Sequence, residues 1–471
     1  MGVLRRLTAV LVAFLALGGT ASADCFGPPP GFEPAPKPAK AGLRFGMYPG
    51  GVAGQLGPAP AAPKPDDPAK QLAALADLRP ADGPFVVHLY RSYLSDENDA
   101  REDKEAQRLV ERYARAGYLV EFVVRYRRDD DVAGYVRFLR GLVDRFASNP
   151  RVVGLQVANE VNFTFSPDSS DGAYAGARDA LIQGVIAAKD EARSRGYRQL
   201  EVGFNWVYRL DPQTEQTFWG HLRDHGGHAF VKSLDWIGLD AYPGTFFPPA
   251  ATPPQMRTAM IDAMDELRCY SGDAGIPKSV PIHVAENGYP TGPHRTYETQ
   301  KEALETMVGT VAAYRANYNV SDYRWFDLRD ADTSSPNFQQ QYGLMTDAYK
   351  PKPAYASWKR LVGQLSVKEA GTPAPPRPRP RPRPRLRMSV SCYWRGVRAV
   401  VAGRDVGRVL RVVFRARGTT VVVRRRPFRR TVRLRPEARA RGITVRASAA
   451  LRGGGTIRFS RRVACRRAEP S

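Results

Sequence analysis

Between Leu43 and Leu365, eight short apolar or β-branched runs alternate with stretches of helical periodicity, and nothing else in the chain restricts its fold as much. The runs are Leu43 to Tyr48, Phe85 to Tyr90, Leu119 to Arg125, Val152 to Asn159, Leu200 to Trp206, Leu234 to Tyr242, Pro281 to Glu286 and Tyr323 to Asp327. Helical patterns fill the gaps: a short one near Ala69 to Leu78, then Asp99 to Ala116, Asp131 to Phe146, Gly172 to Arg195, Gln255 to Tyr270, Tyr297 to Tyr318 and Pro353 to Leu365. Strands alternating with helices are the pattern of parallel βα units. Eight such units predict an α/β fold, a closed (β/α)8 barrel over residues 42–368, in preference to an open doubly wound sheet. Gly50-Gly51-Val52-Ala53-Gly54 follows the first run with no helix start behind it, so the phosphate-cradling loop of a nucleotide-binding fold is missing.

The ends of the chain read differently. Residues 1–23 form an export signal: Arg5 and Arg6, an apolar core from Leu7 to Leu17, and Ala21-Ser22-Ala23 for cleavage before Asp24. Twin-arginine export from Arg5-Arg6 and lipid attachment at Cys25 are the alternatives, but Asp24 stands where lipoprotein cleavage wants a small residue. No later run reaches the roughly 18 apolar residues of a membrane span. The expected product is therefore secreted, extracellular or cell-wall associated. Residues 24–41 are a Pro-rich lead-in, and residues 369–387 form a Pro/Arg-rich linker of extended polyproline character.

Residues 388–471 hold further short β-branched runs: Val397 to Val401, Val409 to Phe414, Thr419 to Val423, Thr431 to Leu434, Ile443 to Ala447 and Thr456 to Phe459. They predict a small all-β domain, an Ig-like antiparallel sandwich. Cys392 and Cys465 bracket it as one staple of a small fold would, which leaves Cys25 to meet Cys269, although four cysteines allow three connectivities and spacing does not choose among them. Residues 371–471 carry 29 arginines, no lysine and three acids, a net +26; against +24 for the whole chain, everything upstream nets −2. The basic character belongs to the tail and says nothing about the barrel's substrate. The expected partner of the tail is an anionic cell-wall polymer bearing phosphate or uronic acid, since Arg forks onto either group. The plainer reading is a module with Val facing in and Arg facing out, and no recognition motif accompanies the charge to suggest nucleic acid.

In a barrel of this kind the active site gathers at the carboxyl ends of the strands. The fourth run ends in Ala158-Asn159-Glu160-Val161-Asn162 and the seventh in Val284-Ala285-Glu286-Asn287-Gly288, each placing an acid just past apolar residues. Cleaving a glycosidic bond needs a proton for the leaving oxygen and negative charge opposite a developing oxocarbenium ion, and two carboxylates supply both.

With Asn159-Glu160 on the fourth of eight strands and Glu286-Asn287-Gly288 on the seventh, the region from about Gly42 to Leu365 resembles the retaining clan A (4/7 superfamily) glycoside hydrolases. The resemblance implies Glu160 as acid/base, Glu286 as nucleophile and Asn159 as a ligand of the sugar 2-hydroxyl. Tyr242 is similar to the strand-six tyrosine that contacts the nucleophile, and Trp325 to the strand-eight aromatic platform. Tyr342-Gly343-Leu344-Met345 with Lys352-Pro353-Ala354-Tyr355 is similar to the closing segment of such barrels. Val161 departs from the family's frequent proline. Arg91 and Arg125 are the candidates for an arginine that keeps the nucleophile ionised, the alternative being rim ion pairs. His88 and Trp206 are candidates to line the sugar pocket, with core packing as the alternative for each.

The resemblance implies no organic cofactor and no metal, with a polysaccharide or oligosaccharide as substrate. His221, His225 and His228 suggest a metal site by spacing, but Gly226-Gly227 interrupts any helix that would align them, so a solvated loop is expected there. The competing functional reading is a non-catalytic carbohydrate-binding or wall-associated barrel.

Overall fold

The computed structural model describes residues 25–26, 33–39, 41–51, 64–94, 96–208, 211–249, 251–368, 385–393, 396–416, 419–433, 443–451 and 456–464. The expected export signal, the end of the glycine-rich run at 52–54, most of the expected Pro/Arg linker and Cys465 lie outside these residues. The chain divides into two compact units, Met1–Ala370 and Gly371–Ser471.

Eight parallel strands close the first unit into a barrel: β1 (Arg44–Met47), β2 (Phe85–Tyr93), β3 (Leu119–Tyr126), β4 (Val152–Val157), β5 (Glu201–Val207), β6 (Trp236–Ala241), β7 (Ile282–Asn287) and β8 (Val320–Trp325). Phe45 of β1 stands opposite Phe85 on one side and Tyr323 on the other, which completes the ring. Around it run α1 (Pro68–Leu78), α2 (Asp96–Arg115), α3 (Val132–Phe146), α4 (Ala177–Arg195), α5 (Pro212–Ser233), α6 (Pro253–Asp273), α7 (Tyr297–Tyr318) and α8 (Pro353–Leu365). Side-chain caps start several of them: Asp67 accepts from Ala69 N, Asp131 from Gly134 N and Thr296 from Thr299 N. Leu43 N donates to Leu365 O at 2.9 Å and Val367 N to Leu43 O at 2.9 Å, so the last helix is tied back to the first strand. Among the described residues no helix is long and apolar enough to cross a membrane. Cys25 is bonded to Cys269 of α6.

Two layers fill this unit. Outward-facing strand residues such as Phe122, Phe204 and Tyr323 meet the helices in an apolar shell. Inside the barrel, polar groups replace the branched aliphatics that commonly fill such barrels. Arg324 reaches Glu121 at 3.1 Å and Asp322 at 2.7 Å; His88 Nδ1 lies 3.0 Å from Glu121 and His283 Nε2 3.2 Å from Asp322. Burial alone would raise both carboxyls, yet Arg324 with His88 holds Glu121 well below its ordinary value, and His283, Arg324 and Arg44 do the same for Asp322. Buried charge is tolerated here because each member has partners.

The expectation of a loop at His221, His225 and His228 is corrected in part: they are helical, but Gly227 breaks α5 into two segments, with His221 and His225 before the break and His228 after it, so the expected interruption by the glycine pair is present. Asp211 caps the first segment by accepting from Thr214 N, and Gly227, at φ 60°, kinks the chain between the two segments. His221 Nε2 pairs with Asp179 at 2.9 Å, and its ring lies 4.4 Å from that of His225.

The second unit is a two-sheet antiparallel β domain. Its strands are β9 (Arg387–Tyr393), β10 (Gly396–Ala402), β11 (Val409–Ala416), β12 (Thr419–Val423), β13 (Arg429–Arg433), β14 (Ile443–Leu451) and β15 (Thr456–Val463). They form one sheet of order β13-β10-β9 and another of order β12-β11-β14-β15. Alternating inward residues, among them Val397, Ala399, Val412, Phe414, Val445 and Ala447, make its core. The sequence reading counted six runs and omitted β9, whose Ser-rich alternation carries little apolar signal. Cys392 is disulfide-bonded.

Candidate active site

Past the end of β4 the chain turns sharply, with Ala158 at φ 61° and Glu160 at φ 48°. That left-handed conformation costs a non-glycine residue about 1–2 kcal/mol, and three side chains hold it. Ala158 N donates to the Tyr135 hydroxyl at 3.0 Å, Asn159 N to Asp171 Oδ2 at 2.9 Å and Glu160 N to Asn205 Oδ1 at 2.8 Å. Three successive backbone N–H groups are thus gripped from α3, from the loop before α4 and from β5. The grip aims the Glu160 carboxyl, whose Oε2 accepts from Ser170 Oγ at 2.5 Å.

Glu286 arrives from β7 and is held by two phenols. Tyr242 donates to its Oε2 at 2.7 Å, and Tyr90 donates to its Oε1. One oxygen of Glu160, one of Glu286 and one of Asp240 all lie within 4.8 Å of one another. Among the described residues this trio is the one His/Cys/Asp/Glu grouping compact enough to hold a cation.

Three carboxyls so close do not all ionise near neutrality. Burial and the neighbouring Glu286 push the Glu160 carboxyl up to about 8. Burial, then Glu286 and Glu160, raise Asp240 well above the usual carboxylate range. Asp240 is fully buried and accepts from Asn205 Nδ2. The second Asn205 amide hydrogen goes to Asn159 Oδ1 at 3.0 Å, so Asn205 links Glu160, Asn159 and Asp240 through one side chain. Asn159 Nδ2 donates to Ser169 O at 2.9 Å.

Aromatic rings wall this pocket. Tyr48 stacks on Phe326 at 5.2 Å and meets Tyr90 edge-on at 5.2 Å; Tyr342 lies 5.7 Å from Phe326 and 5.8 Å from Tyr242.

No family model and no curated protein matches the chain. Among solved structures it is similar to a calcium-binding mutant of Bacteroides uniformis beta-glucuronidase 2, at 11% identity over 91% of this chain and 46% of that one, with a TM-score of 0.46. A beta-D-glucuronidase of Dictyoglomus thermophilum gives 13% identity over 70% and 51%, with a TM-score of 0.45. GH5_18 from Streptomyces cattleya, in complex with GlcNAc, gives 19% over 74% and 83%, with a TM-score of 0.48. The chain spans about half the length of the two glucuronidases.

The residues singled out in the sequence divide into two groups. Glu160, Glu286, Asn159 and Tyr242 come together at the barrel mouth. Arg125 lies near Glu160, but its guanidinium is committed to Asp171 at 2.9 Å and to the Asp168 carbonyl at 2.7 Å, and it steadies the loop before α4 without touching Glu286. His88 sits in the barrel interior, paired with Glu121 beneath Tyr90.

Three expectations are corrected. Trp325 is fully buried with its ring 6.0 Å from Trp358 of α8, so it faces the helices and is no platform for sugar. Trp206 donates to Glu215 Oε2 at 2.6 Å and packs on Trp219 in the shell between strand and helix. Arg91 turns to α2, pairing with Glu102 at 2.8 Å and Asp103 at 2.9 Å. In each case the neighbour one position earlier or later faces the site: Phe326, Asn205 and Tyr90. Side chains alternate across a strand, so a choice displaced by one residue lands on the wrong face. The signal was available in strand parity, because the polar interior residues Asp322 and Arg324 share the parity of Phe326, and His88 that of Tyr90. Asp240 was passed over because Tyr242 beside it carried the motif.

Proposed function

We propose that the barrel unit is a retaining glycoside hydrolase acting on a β-linked glycan, with Glu160 as acid/base and Glu286 as nucleophile. One observation carries this reading: carboxylate oxygens of the two glutamates lie within 4.8 Å. Double displacement uses a pair about 5–5.5 Å apart, whereas inverting enzymes leave roughly 6.5–9.5 Å for a water.

The electrostatics support the same division of roles. With its carboxyl raised to about 8, Glu160 carries a proton at neutral pH and can give it to the glycosidic oxygen as the C–O bond breaks. An oxygen of Glu286, oriented by Tyr90 and Tyr242, then bonds to the anomeric carbon and forms a glycosyl ester. Esterification removes the Glu286 charge that helps raise Glu160. Glu160, now deprotonated, can take a proton from water as that water attacks the anomeric carbon and frees Glu286. The Asn159 amide keeps one N–H beyond its bond to Ser169 and is suited to a sugar 2-hydroxyl. Phe326 replaces Trp325 as the ring offered to the sugar. A non-catalytic sugar-binding barrel would have no use for a protonated acid facing a second carboxylate.

This reading includes export by the residue 1–23 signal and retention of the basic unit on an anionic wall polymer. Azide tests the chemistry. With an activated aryl β-glycoside, Glu160→Ala plus azide should give a β-glycosyl azide, and Glu286→Ala plus azide an α-glycosyl azide. Full activity in Glu286→Ala would remove the nucleophile assignment.

A further inference from the structure

The sheet β12-β11-β14-β15 turns most of its apolar residues to the core of the second unit and leaves a basic outer face, on which Val413 and Val422 stand opposite each other beside the arginines. On β11 the inward residues are Val412, Phe414 and Ala416, so Arg411 and Arg415 point out. On β14 the inward set from Ile443 to Leu451 leaves Arg446 outside, and β15 adds Arg458 and Arg462. All five arginines are exposed. Arg415 stands directly opposite Arg446, and Arg458 and Arg462 stand opposite Ser448 and Thr444.

Charges on edge strands have a structural use, since they keep a sheet from pairing with another chain. That accounts for Arg458 and Arg462 on the edge strand β15. It does not account for Arg411, Arg415 and Arg446, which lie on the two central strands, each already paired on both sides. Like charges directly across a strand pair are unfavourable, and among the described residues no acid lies on this face to offset them. Asp405, the acid of this unit among the described residues, accepts the backbone N–H of Arg385. A partner that brings negative charge to this face would relieve that opposition.

The chemistry of the face narrows what brings it. Adjacent strands lie about 4.8 Å apart, so the guanidiniums of Arg415 and Arg446 can fork onto one carboxylate. Arg411 sits four residues from Arg415, roughly 13 Å along the strand at about 3.3 Å per residue. Val413 separates Arg411 from Arg415 along β11, and around Arg446 and β15 lie the hydroxyls of Thr444, Ser448 and Ser460, suited to the hydroxyls of a sugar. Among the described residues the face carries no aromatic ring on which the bases of a single-stranded nucleic acid could stack.

We propose that this face binds a linear uronate-bearing polysaccharide, with Arg415 and Arg446 as the central clamp and Arg411, Arg458 and Arg462 extending it. The choice of a glycan rests on the glycosidase reading of the barrel. A catalytic unit and a polymer-holding unit on one chain raise the local concentration of substrate.

The test uses the full-length protein, with affinity electrophoresis and equilibrium binding on polygalacturonate at low and moderate salt. Arg415→Ser with Arg446→Ser should weaken binding at least tenfold and flatten its salt dependence, with thermal stability unchanged or higher because the like-charge opposition is gone. A charge-matched control, Arg424→Ser with Arg425→Ser, removes two exposed arginines outside this face and should cost less than threefold. Equal losses in the two double variants would mean that net charge alone binds the polymer, and the clamp would be wrong. Tighter binding to polyphosphate or to single-stranded DNA than to polygalacturonate would likewise overturn it. Hydrolysis of a soluble aryl glycoside, followed in the same samples, separates the two readings: binding without hydrolysis removes the enzyme and keeps the clamp, and hydrolysis without binding does the reverse.

Discussion

The side-chain oxygen of Asn205 accepts the backbone N–H of Glu160 at 2.8 Å, so a residue on β5 holds the acid presented by β4. Both amide hydrogens of Asn205 are spent on Asn159 and Asp240, which leaves its orientation no freedom. Asn205→Ala should therefore loosen Glu160 without removing any group that touches substrate. A lost hydrogen bond and an unsatisfied buried partner cost about 1–3 kcal/mol, so kcat should fall roughly 10- to 100-fold at nearly constant KM. A change confined to KM would show that Asn205 binds sugar instead.

With Glu160 as the proposed acid, activity should fall with alkali. Its carboxyl titrates at about 8 in the folded protein against an ordinary 4.5, so the protonated acid is lost as pH rises through 8 and kcat/KM should drop with it. Glu160→Gln should lack that limb with aryl glycosides whose leaving groups need no proton. The same shift bears on stability. The folded state holds this proton more tightly than the unfolded chain, so the contribution is complete below 4.5 and is lost as pH rises through about 8. At pH 9, Glu160→Gln should melt above the wild type by about 2 °C or more, and the gap should narrow at pH 5. Melting curves at the two pH values decide this.

Trp325 and Phe326 are adjacent in sequence and should differ in effect. Trp325→Ala empties a site against Trp358 and should cost about 3–5 kcal/mol of stability. Phe326→Ala removes a ring from the pocket wall beside Tyr48 and Tyr342, and should reduce kcat/KM by about 10-fold or more while moving the melting temperature less. The reverse pattern would return Trp325 to the sugar pocket.

The Cys25–Cys269 bond joins positions 244 residues apart. Breaking a bond that closes a long loop removes about 2–5 kcal/mol. Cys25→Ser should lower the melting temperature by about 4–8 °C, with turnover at 25 °C within about twofold of the wild type. An unchanged melting temperature would show that the bond contributes nothing.

Much of this protein was legible in one dimension. Eight apolar runs separated by helical stretches of sufficient length allow few folds besides a parallel barrel, because each strand needs a crossover before the next can lie beside it. An acid one or more residues past the end of an apolar run lands at the barrel mouth, and that places Glu160 and Glu286. The glycine pair hides α5 in the sequence, and in the folded protein Gly227 does divide it, with helix continuing on both sides of the kink.

Tertiary structure decided which parity of each strand faces inward, and through that the chemistry of the site. Strand parity separates Tyr90 from Arg91 and Phe326 from Trp325 only once it is known which parity faces inward, and closure of the ring is what turns one of each pair, and Asn205 rather than Trp206, toward the glutamates and the other toward a helix. Closure also brings Asp240 against two acids distant in sequence. Burial and repulsion act over a few ångströms of space, so the proton that Glu160 retains at neutral pH belongs to the folded chain.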